Sequence, residues 1–288
     1  MAERATTATR RRKKGAIIGS GVAAVVVLVL IIWVVAASGG KKKAQPSAQG
    51  SANASASTSA APASCKWVPN PDPSASPAAS PQPANTHLKN VGTPPASGEP
   101  RAGTRDMTIV TNLGTIVIRM DLAKAPCTAE SFTYLASKHY FDNTSCHRLV
   151  NSNTADPQTG QPTDFHVLQC GDPSGTGQGG PSYTFPNETV PKDGSRPMYE
   201  AGQVAMANSG PDQNGSQFFI VYGDTTAIQN SYTLFGQVTT GLDIAKQVAA
   251  GGDDGTAGQA GGGKPKKPLD FKTVTVGPVI APTASAAP

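Results

Sequence analysis

Apolar and polar side chains alternate over residues 107–121, MTIVTNLGTIVIRMD. Alternation with a period of two is typical of half-buried β-strands, and the interruption at residues 112–114 (NLG) indicates the turn of a hairpin. A helical pattern of apolar residues follows, with Thr128 as its predicted N-cap, and it ends near Lys138. The folded region is therefore expected to open with a hairpin and a helix.

Short strand-like runs separated by glycine and proline follow this helix, at residues 147–150, 165–169, 203–207, 217–221 and 233–238. A second helix is predicted over residues 242–250, where two glycines end it, and a last strand over residues 271–276. Many short strands with two helices predict a mainly β domain over residues 104–280, built as a small antiparallel barrel or sandwich with helical end caps.

The longest apolar run lies near the N-terminus, where residues 16–37 carry no charge. As a helix this run is about 33 Å long, against a hydrocarbon core of about 30 Å. Basic residues are more numerous before the run than after it, which predicts a basic cytoplasmic tail at residues 1–15 and an exported remainder. We expect a single-pass anchor in the cell membrane. The alternative is a cleaved signal peptide and a secreted protein.

Residues 38–103 are rich in Ala, Ser and Pro and hold too few apolar side chains to offset the entropy of ordering a core. They predict a disordered linker, and residues 281–288 predict a disordered tail. One island, Cys65-Lys66-Trp67-Val68, is apolar and carries a thiol that a linker does not need. We expect this island to dock on the folded domain.

The distribution of charged residues along the chain is more informative than the net charge. The chain carries a formal +5, but residues 1–43 alone carry +8, so the remainder is acidic by 3. The positive charge sits at one end of the chain and not across a folded surface. Nucleic-acid binding is therefore excluded as a leading function.

Four cysteines, an even number, lie in the region expected outside the cytoplasm, where disulfides persist. Three pairings are open from sequence. We favour Cys146–Cys170, which flank two consecutive strand-like runs that could lie antiparallel, together with Cys65–Cys127, which would join the island to the first helix. Four reduced, buried thiols are the alternative. No C-x-x-C pair or histidine cluster is present, so no metal site is predicted.

The sequence supports neither a dinucleotide-binding site nor a serine hydrolase site. Residues 175–180 (GTGQGG) satisfy the dinucleotide-binding pattern G-x-G-x-x-G, but Pro181 follows with no helical pattern, so a surface loop is predicted. No G-x-S-x-G elbow is present, which leaves serine hydrolysis without support.

Three longer stretches carry a more specific pattern: FDNTSCHRLV at 141–150, VLQCGDPSGTGQGG at 167–180 and GQVAMANSGPDQNGSQFFIVYGD at 202–224, followed by YTLFGQV at 232–238. Together they resemble the cyclophilin family of peptidyl-prolyl cis-trans isomerases, and the resemblance covers residues 106–276. It implies a closed eight-stranded antiparallel β-barrel capped by two α-helices, an active site on the outer surface, and an isomerase that needs no cofactor.

The resemblance also assigns roles to residues. It makes Arg148 the donor to the prolyl nitrogen and Phe219 the floor of an apolar cup for the proline ring, with Gln169 orienting Arg148. Phe218 alternates with Phe219 and is expected in the core. Asn208 is expected to act chiefly through its main chain. The implied substrate-binding residues are His166, Val167, Ala207, Asn208, Gln217, Ala227, Ile228 and Tyr232.

Several positions depart from the family's usual residues. Cys146 stands where Phe is usual, His166 and Val167 where Phe and Met are usual, and Tyr232 where His is usual. Ala227 stands where well-known eukaryotic members have the Trp that hydrogen-bonds cyclosporin. We therefore predict weak cyclosporin binding.

The leading hypothesis is a monomeric, membrane-anchored, extracytoplasmic prolyl isomerase that acts on proline-containing polypeptide clients emerging from secretion. Two alternatives stay open. One is a catalytically weak proline-binding or chaperone module, which the altered cup favours. The other is a binder of cell-wall polymers through the Pro/Ala-rich tether, which rests on composition alone.

Overall fold

A computed structural model describes residues 63–70, 85–154, 157–161, 163–195, 197–258 and 261–282. Several predicted regions lie outside these residues: the basic tail at residues 1–15, the apolar run at residues 16–37, the predicted linker apart from residues 63–70 and 85–103, and residues 283–288. Within the described ranges, no helix is long and apolar enough to span a bilayer.

The strands in chain order are β1 (Val68–Pro69), β2 (Leu88–Lys89), β3 (Thr104–Thr111), β4 (Thr115–Asp121), β5 (Arg148–Ser152), β6 (Phe165–Cys170), β7 (Gly180–Pro181), β8 (Tyr183–Thr184), β9 (Gln203–Asn208), β10 (Asn214–Val221), β11 (Leu234–Thr240) and β12 (Phe271–Val276). The helices are α1 (Pro126–Ser137) and α2 (Leu242–Ala250). Eight strands form one antiparallel sheet in the order β12-β3-β4-β11-β9-β10-β6-β5. The predicted hairpin, both helices and each predicted strand are present.

The sheet curls into a half-barrel whose edge strands are β5 and β12. Among the described residues no ladder joins these two edges. Single bridges connect the β5 side to the chain that leads into β12, between Ser145 and Asp270 and between Leu149 and Gly263. Eight antiparallel strands with two helices are therefore confirmed, whereas the predicted closed barrel is not.

Alternate residues of the strands fill a core on the inner face of the sheet. Ile109, Ile116 and Ile118 are fully buried there, in agreement with the period-two pattern. Phe132 of α1 stacks on Phe235 with ring centroids 5.0 Å apart, so the helix covers this core with aromatic surface. The sheet and α1 thus bury a single apolar layer between them.

The start of α1 differs from the prediction. Pro126 is its first residue, Ala125 is the N-cap without a side-chain cap, and Thr128 is buried inside the first turn. The cap comes from Glu188, whose carboxylate accepts hydrogen bonds from the backbone N–H groups of Cys127 and Thr128 at 2.9 and 2.8 Å. The N-cap prediction at Thr128 is wrong because a carboxylate distant in sequence already satisfies these donors and favours the positive helix end.

Two pieces of the chain before β3, residues 63–70 and 85–103, pack against the domain, and we call them together the strap. Trp67 meets Tyr183 and Phe185 edge-on, each at 5.4 Å between ring centroids, and its indole N–H donates to the Pro95 carbonyl at 2.9 Å. The island at residues 65–68 therefore docks as expected.

The second piece of the strap falls within the range that the sequence assigns to the linker. The structure instead packs it on the domain: β2 pairs with β7 in parallel, and the Tyr134 hydroxyl donates to the Val91 carbonyl at 2.5 Å. These are mainly polar backbone contacts. A hydrophobicity pattern does not show them, which is why residues 85–103 resemble a linker in sequence.

Both predicted disulfides form, Cys65–Cys127 and Cys146–Cys170, and the alternative of four reduced thiols is not what the structure contains. The first bond joins the strap to the start of α1. The second joins the chain just before β5 to the last residue of β6, two strands that lie antiparallel as expected.

Candidate active site

A pocket of about 390 Å³ opens on the outer face of the sheet, over β6, β9 and β10. Its floor is Phe219, which is opposite Gln169 of β6 and Ala205 of β9. Phe219 is only 3% exposed, and it belongs to an apolar cluster separate from the core that contains Phe218. Successive side chains of a strand point to opposite faces, so this one strand supplies both the core and the floor.

The walls of the pocket are mostly apolar. The ring of Phe219 meets those of Tyr232 and Tyr199 edge-on, with ring centroids 5.5 and 5.7 Å apart. The lining residues are Arg148, Phe165, Val167, Gln169, Ala207, Asn208, Phe219, Ala227, Ile228, Gln229 and Tyr232. The pocket is thus an apolar cup with a cation and amides at its edge.

Arg148 is the first residue of β5 and lies directly opposite Gln169 on β6. Its Nη1 donates to the Gln169 side-chain carbonyl at 3.1 Å, its Nε donates to the Gly261 carbonyl at 3.1 Å, and its guanidinium lies 5.7 Å from the centre of the Phe165 ring. Burial lowers the pKa of Arg148, but the group stays charged at pH 7. The cation is therefore held in one orientation.

A relay of amides holds that orientation from behind. The Gln169 Nε2 donates to the Gln217 Oε1 at 2.8 Å, and the Gln217 Nε2 donates to the carbonyls of Gly177 and Gly179 at 3.0 and 2.8 Å. Each amide is fixed at both ends, so only one flip state of each satisfies the relay. Arg148 is thereby connected to the loop that follows β6.

Asp172, at the start of that loop, is fully buried and organises it. Its carboxylate accepts hydrogen bonds from the backbone N–H groups of Ser174, Gly177 and Gly179 at 2.6 to 3.1 Å. Burial alone would raise the pKa of Asp172, but these hydrogen bonds outweigh it and hold the pKa below its ordinary value. A Cβ at Gly179 would collide with the carboxylate, so glycine is required there.

His147 lies beside Arg148 and is mostly buried, and among the described residues neither ring nitrogen has a partner in hydrogen-bond geometry. Burial lowers the pKa of His147 and outweighs the nearby Asp172 carboxylate, which acts to raise it, while the Arg148 charge acts to lower it. The ring is therefore neutral at pH 7. Arg148 stays the charged group of this pair.

The structure brings together most of the residues that the sequence assigned. Arg148, Gln169 and Phe219 meet in one pocket, and the predicted wall residues that join them are Val167, Ala207, Asn208, Ala227, Ile228 and Tyr232. Gln217 stands one step behind, in the relay. The Asn208 side chain donates to the Ser231 carbonyl at 3.0 Å.

His166 is the exception. It alternates with Phe165 and Val167 along β6, so its ring lies on the other face of the strand, 5.7 Å from the ring of Tyr222. The structure therefore does not place His166 in the cup, in contrast to the prediction. Phe165 takes that position and lies near Arg148.

Sequence reasoning missed Phe165, Gln229 and Asp172. Strand alternation from Val167 and Gln169 would have identified Phe165 as a residue of the same face. Asp172 precedes a run of serine and glycines, a composition typical of a carboxylate that binds the following backbone N–H groups. Gln229 is exposed in an irregular loop, and the sequence offers no pattern for it.

Residues 106–276 match the cyclophilin type peptidyl-prolyl cis-trans isomerase/CLD family, and this range contains the whole cup. The chain belongs to the cyclophilin family. It is 36% identical over 222 residues to a probable peptidyl-prolyl cis-trans isomerase B of Mycobacterium tuberculosis, covering 74% of this chain and 63% of that relative, somewhat less than two thirds.

Two further proteins are similar to parts of this chain. A human peptidyl-prolyl cis-trans isomerase-like 1 is 35% identical over 158 residues, covering 54% of this chain and 83% of the relative. A crystal structure of a Cryptosporidium parvum cyclophilin aligns over 61% of this chain and 98% of that one, with 24% identity and a TM-score of 0.49.

The departures from the usual cyclophilin residues have identifiable consequences here. Cys146 is in a disulfide and is buried in the apolar core. Val167 gives the cup a smaller wall than Met would, and Tyr232 packs its ring on Phe219. Ala227 is exposed at the rim, where the larger indole is missing.

Proposed function

We propose that this cyclophilin accelerates rotation about X-Pro peptide bonds. One observation carries the proposal: the Arg148 guanidinium is fixed by Gln169 at the edge of a cup whose floor is Phe219. An apolar cup suits a proline ring, and a fixed cation beside it suits the electron pair that the prolyl nitrogen gains as the bond twists.

The reaction breaks no covalent bond. The planar X-Pro bond resists rotation by about 18–20 kcal/mol because the nitrogen shares its lone pair with the carbonyl. In the half-rotated state that sharing is lost, and an N–H of Arg148 then donates to the nitrogen. Val167, Ile228 and Phe219 hold the ring by apolar contact, while the main chain at Asn208 fixes the flanking residue.

The activity proposal is tested by exchange NMR on a short peptide that contains Ala-Pro. We expect the cis-to-trans exchange rate to rise in proportion to the protein concentration. The competing proposal, a proline-binding module with little catalysis, is favoured by the smaller cup wall at Val167. It predicts that the chemical shifts of the peptide change on binding. The cis-trans exchange keeps its uncatalysed time constant of tens of seconds or longer.

We further propose that the domain is monomeric and lies outside the cytoplasm, anchored by residues 16–37, and that it acts on secreted proteins. Two disulfides and the asymmetry of basic residues around the apolar run support this location. Protease added to intact cells should remove the domain and leave an N-terminal membrane-bound fragment. Full protection in intact cells, with digestion only after lysis, would contradict the location.

A further inference from the structure

A second depression, which we call the side groove, adjoins the cup. It measures about 380 Å³ and shares Gln169, Ala207 and Asn208 with the cup. A polypeptide whose proline occupies the cup must leave it over neighbouring surface, and these shared residues make the side groove continuous with it. The groove is thus placed to receive a residue that flanks the proline.

The strap builds one wall of this groove. Asn70, Asn85 and Leu88 line it, and all three lie before residue 106, where the match to the cyclophilin family begins. The rest of the lining comes from the loop after β6 and from residues 207–209, 213 and 215–217. The family domain alone therefore does not complete the groove.

The strap wall is firmly attached. The Asn85 side-chain amide donates to the Gln178 carbonyl at 3.1 Å, and the Asn70 N–H donates to the Ser182 carbonyl at 2.9 Å. The Ser182 hydroxyl donates to the Asn90 side chain at 3.0 Å, and Lys89 donates to the Tyr140 carbonyl at 3.2 Å. With the Cys65–Cys127 disulfide, these bonds hold the wall at a fixed distance from the cup.

The side groove is lined by uncharged side chains. Among the described residues that line it, none is an acid, a lysine, an arginine or a histidine, and seven carry amides: Asn70, Asn85, Gln169, Gln178, Asn208, Gln213 and Gln217. Amides both donate and accept hydrogen bonds, so they can pair with an uncharged polar side chain of either type. A charged side chain that entered here would lose water without gaining an opposite charge.

We propose that the strap makes the side groove a specificity site, which selects clients with an uncharged, hydrogen-bonding residue near the proline over clients with a charged one. The inference rests on the proposed isomerase function. It assigns to Asn70, Asn85 and Leu88 a role in choosing the client sequence, and none in the rotation itself.

The test uses two peptide series with the purified chain, one varied two residues before the proline and one varied two residues after it, each with Gln, Lys or Glu. In one series we expect kcat/KM for Gln to exceed that for Lys and for Glu by about tenfold, since a charged side chain loses water there without gaining a partner.

Variants that introduce a charge at position 70 then test whether the strap causes this selectivity. Asn70→Asp should raise the Lys-to-Glu ratio of kcat/KM by about fivefold and Asn70→Lys should lower it by about as much, the size of a partly exposed ion pair. Each ratio is taken within one variant, so the amount of folded protein cancels. Lys66→Asp is the control, because Lys66 is an exposed strap residue outside the groove, and it should leave the ratio unchanged.

Equal rates for all three peptides in both series would overturn the inference. So would a parent preference that Asn70→Asp and Asn70→Lys do not move in opposite directions. A parent that isomerises no peptide at all contradicts the proposed function instead, so the two failures are distinguishable.

Discussion

The partners of Arg148 explain how it acts as a cation although it is half-buried. Its hydrogen-bond acceptors at Gln169 and Gly261 are neutral carbonyls, which orient the guanidinium without cancelling its charge. Neutral acceptors leave more of the charge available to a developing lone pair than a carboxylate would. In the proposed mechanism, the amide relay through Gln217 contributes orientation and Arg148 contributes the field.

Ala227 determines the expected response to cyclosporin. The parent should bind the inhibitor weakly, with a Kd above the micromolar range, because the indole donor of better-known cyclophilins is missing at this rim position. Ala227→Trp should tighten binding at least about tenfold, since an indole adds both contact area and one N–H donor. Isothermal calorimetry on both proteins measures this. Sub-micromolar binding by the parent would refute the prediction.

Glu130 of α1 gives a pH-dependent stability. Burial raises its pKa to about 7, aided by the neighbouring Glu99, which itself pairs with Arg105 at 2.9 Å. A carboxyl whose pKa is raised on folding stabilises the protein while protonated, and that contribution is lost as the pH rises from about 4.5 through about 7.

We therefore expect Glu130→Gln to exceed the parent in unfolding free energy by a larger margin at pH 8 than at pH 5, because the amide never ionises. Urea unfolding at both pH values measures the difference. A gap that is the same at both pH values, or that narrows toward pH 8, would show that Glu130 does not titrate in this range.

At the level of elements, periodicity alone located the strands and helices. Alternation over residues 107–121 predicts β3 and β4 because one face of each is buried, and the 3.6-residue pattern predicts α1 because Phe132 and Leu135 share a buried face. The elements that it missed, β1, β2, β7 and β8, are two residues long and held by backbone pairing. Contacts of this kind depend on tertiary placement, as does the Glu188 cap.

Some residues of the site could likewise be predicted from the sequence, and others could not. The resemblance assigns Arg148, Gln169 and Phe219 to the site because they lie within the long motifs, and the strand pairing of the structure brings them to one face. The resemblance also assigns His166 to the cup, but the structure does not place it there, because neighbouring residues of β6 face opposite sides of the sheet. The strap wall could not be predicted, since Asn70 and Asn85 carry no pattern and reach the groove only through the fold.

The two disulfides should have separable effects. Cys65→Ala/Cys127→Ala should lower the unfolding free energy by about 2–4 kcal/mol, because the bond closes a long loop, with a sequence separation of 62. Its turnover of a short Ala-Pro peptide should change little. Cys146→Ala/Cys170→Ala should also cost stability, but it should reduce kcat/KM as well, because these cysteines flank Arg148 and Gln169. Denaturant unfolding and the isomerase assay on both variants test this; equal kinetic effects would contradict it.

For the whole molecule, family membership and activity rest on different observations. The match over residues 106–276 establishes the family, whereas catalysis depends on the side chains of the cup, since one fold hosts many functions. The strap lies outside that match and is still part of the folded unit. Over its described residues, the chain is therefore a cyclophilin domain extended at its N-terminal side by a strap, which the Cys65–Cys127 disulfide joins to α1.

The most direct test of the account replaces the cation. Peptidyl-prolyl isomerase activity is measured by exchange NMR for the parent, Arg148→Ala, Arg148→Lys and the control Arg119→Ala, which removes an exposed arginine paired with Asp106. We expect Arg148→Ala to lose about 100-fold in kcat/KM, as for removal of one transition-state donor. Arg148→Lys should fall between it and the parent, and Arg119→Ala should equal the parent. Equal rates for Arg148→Ala and Arg119→Ala would contradict the account.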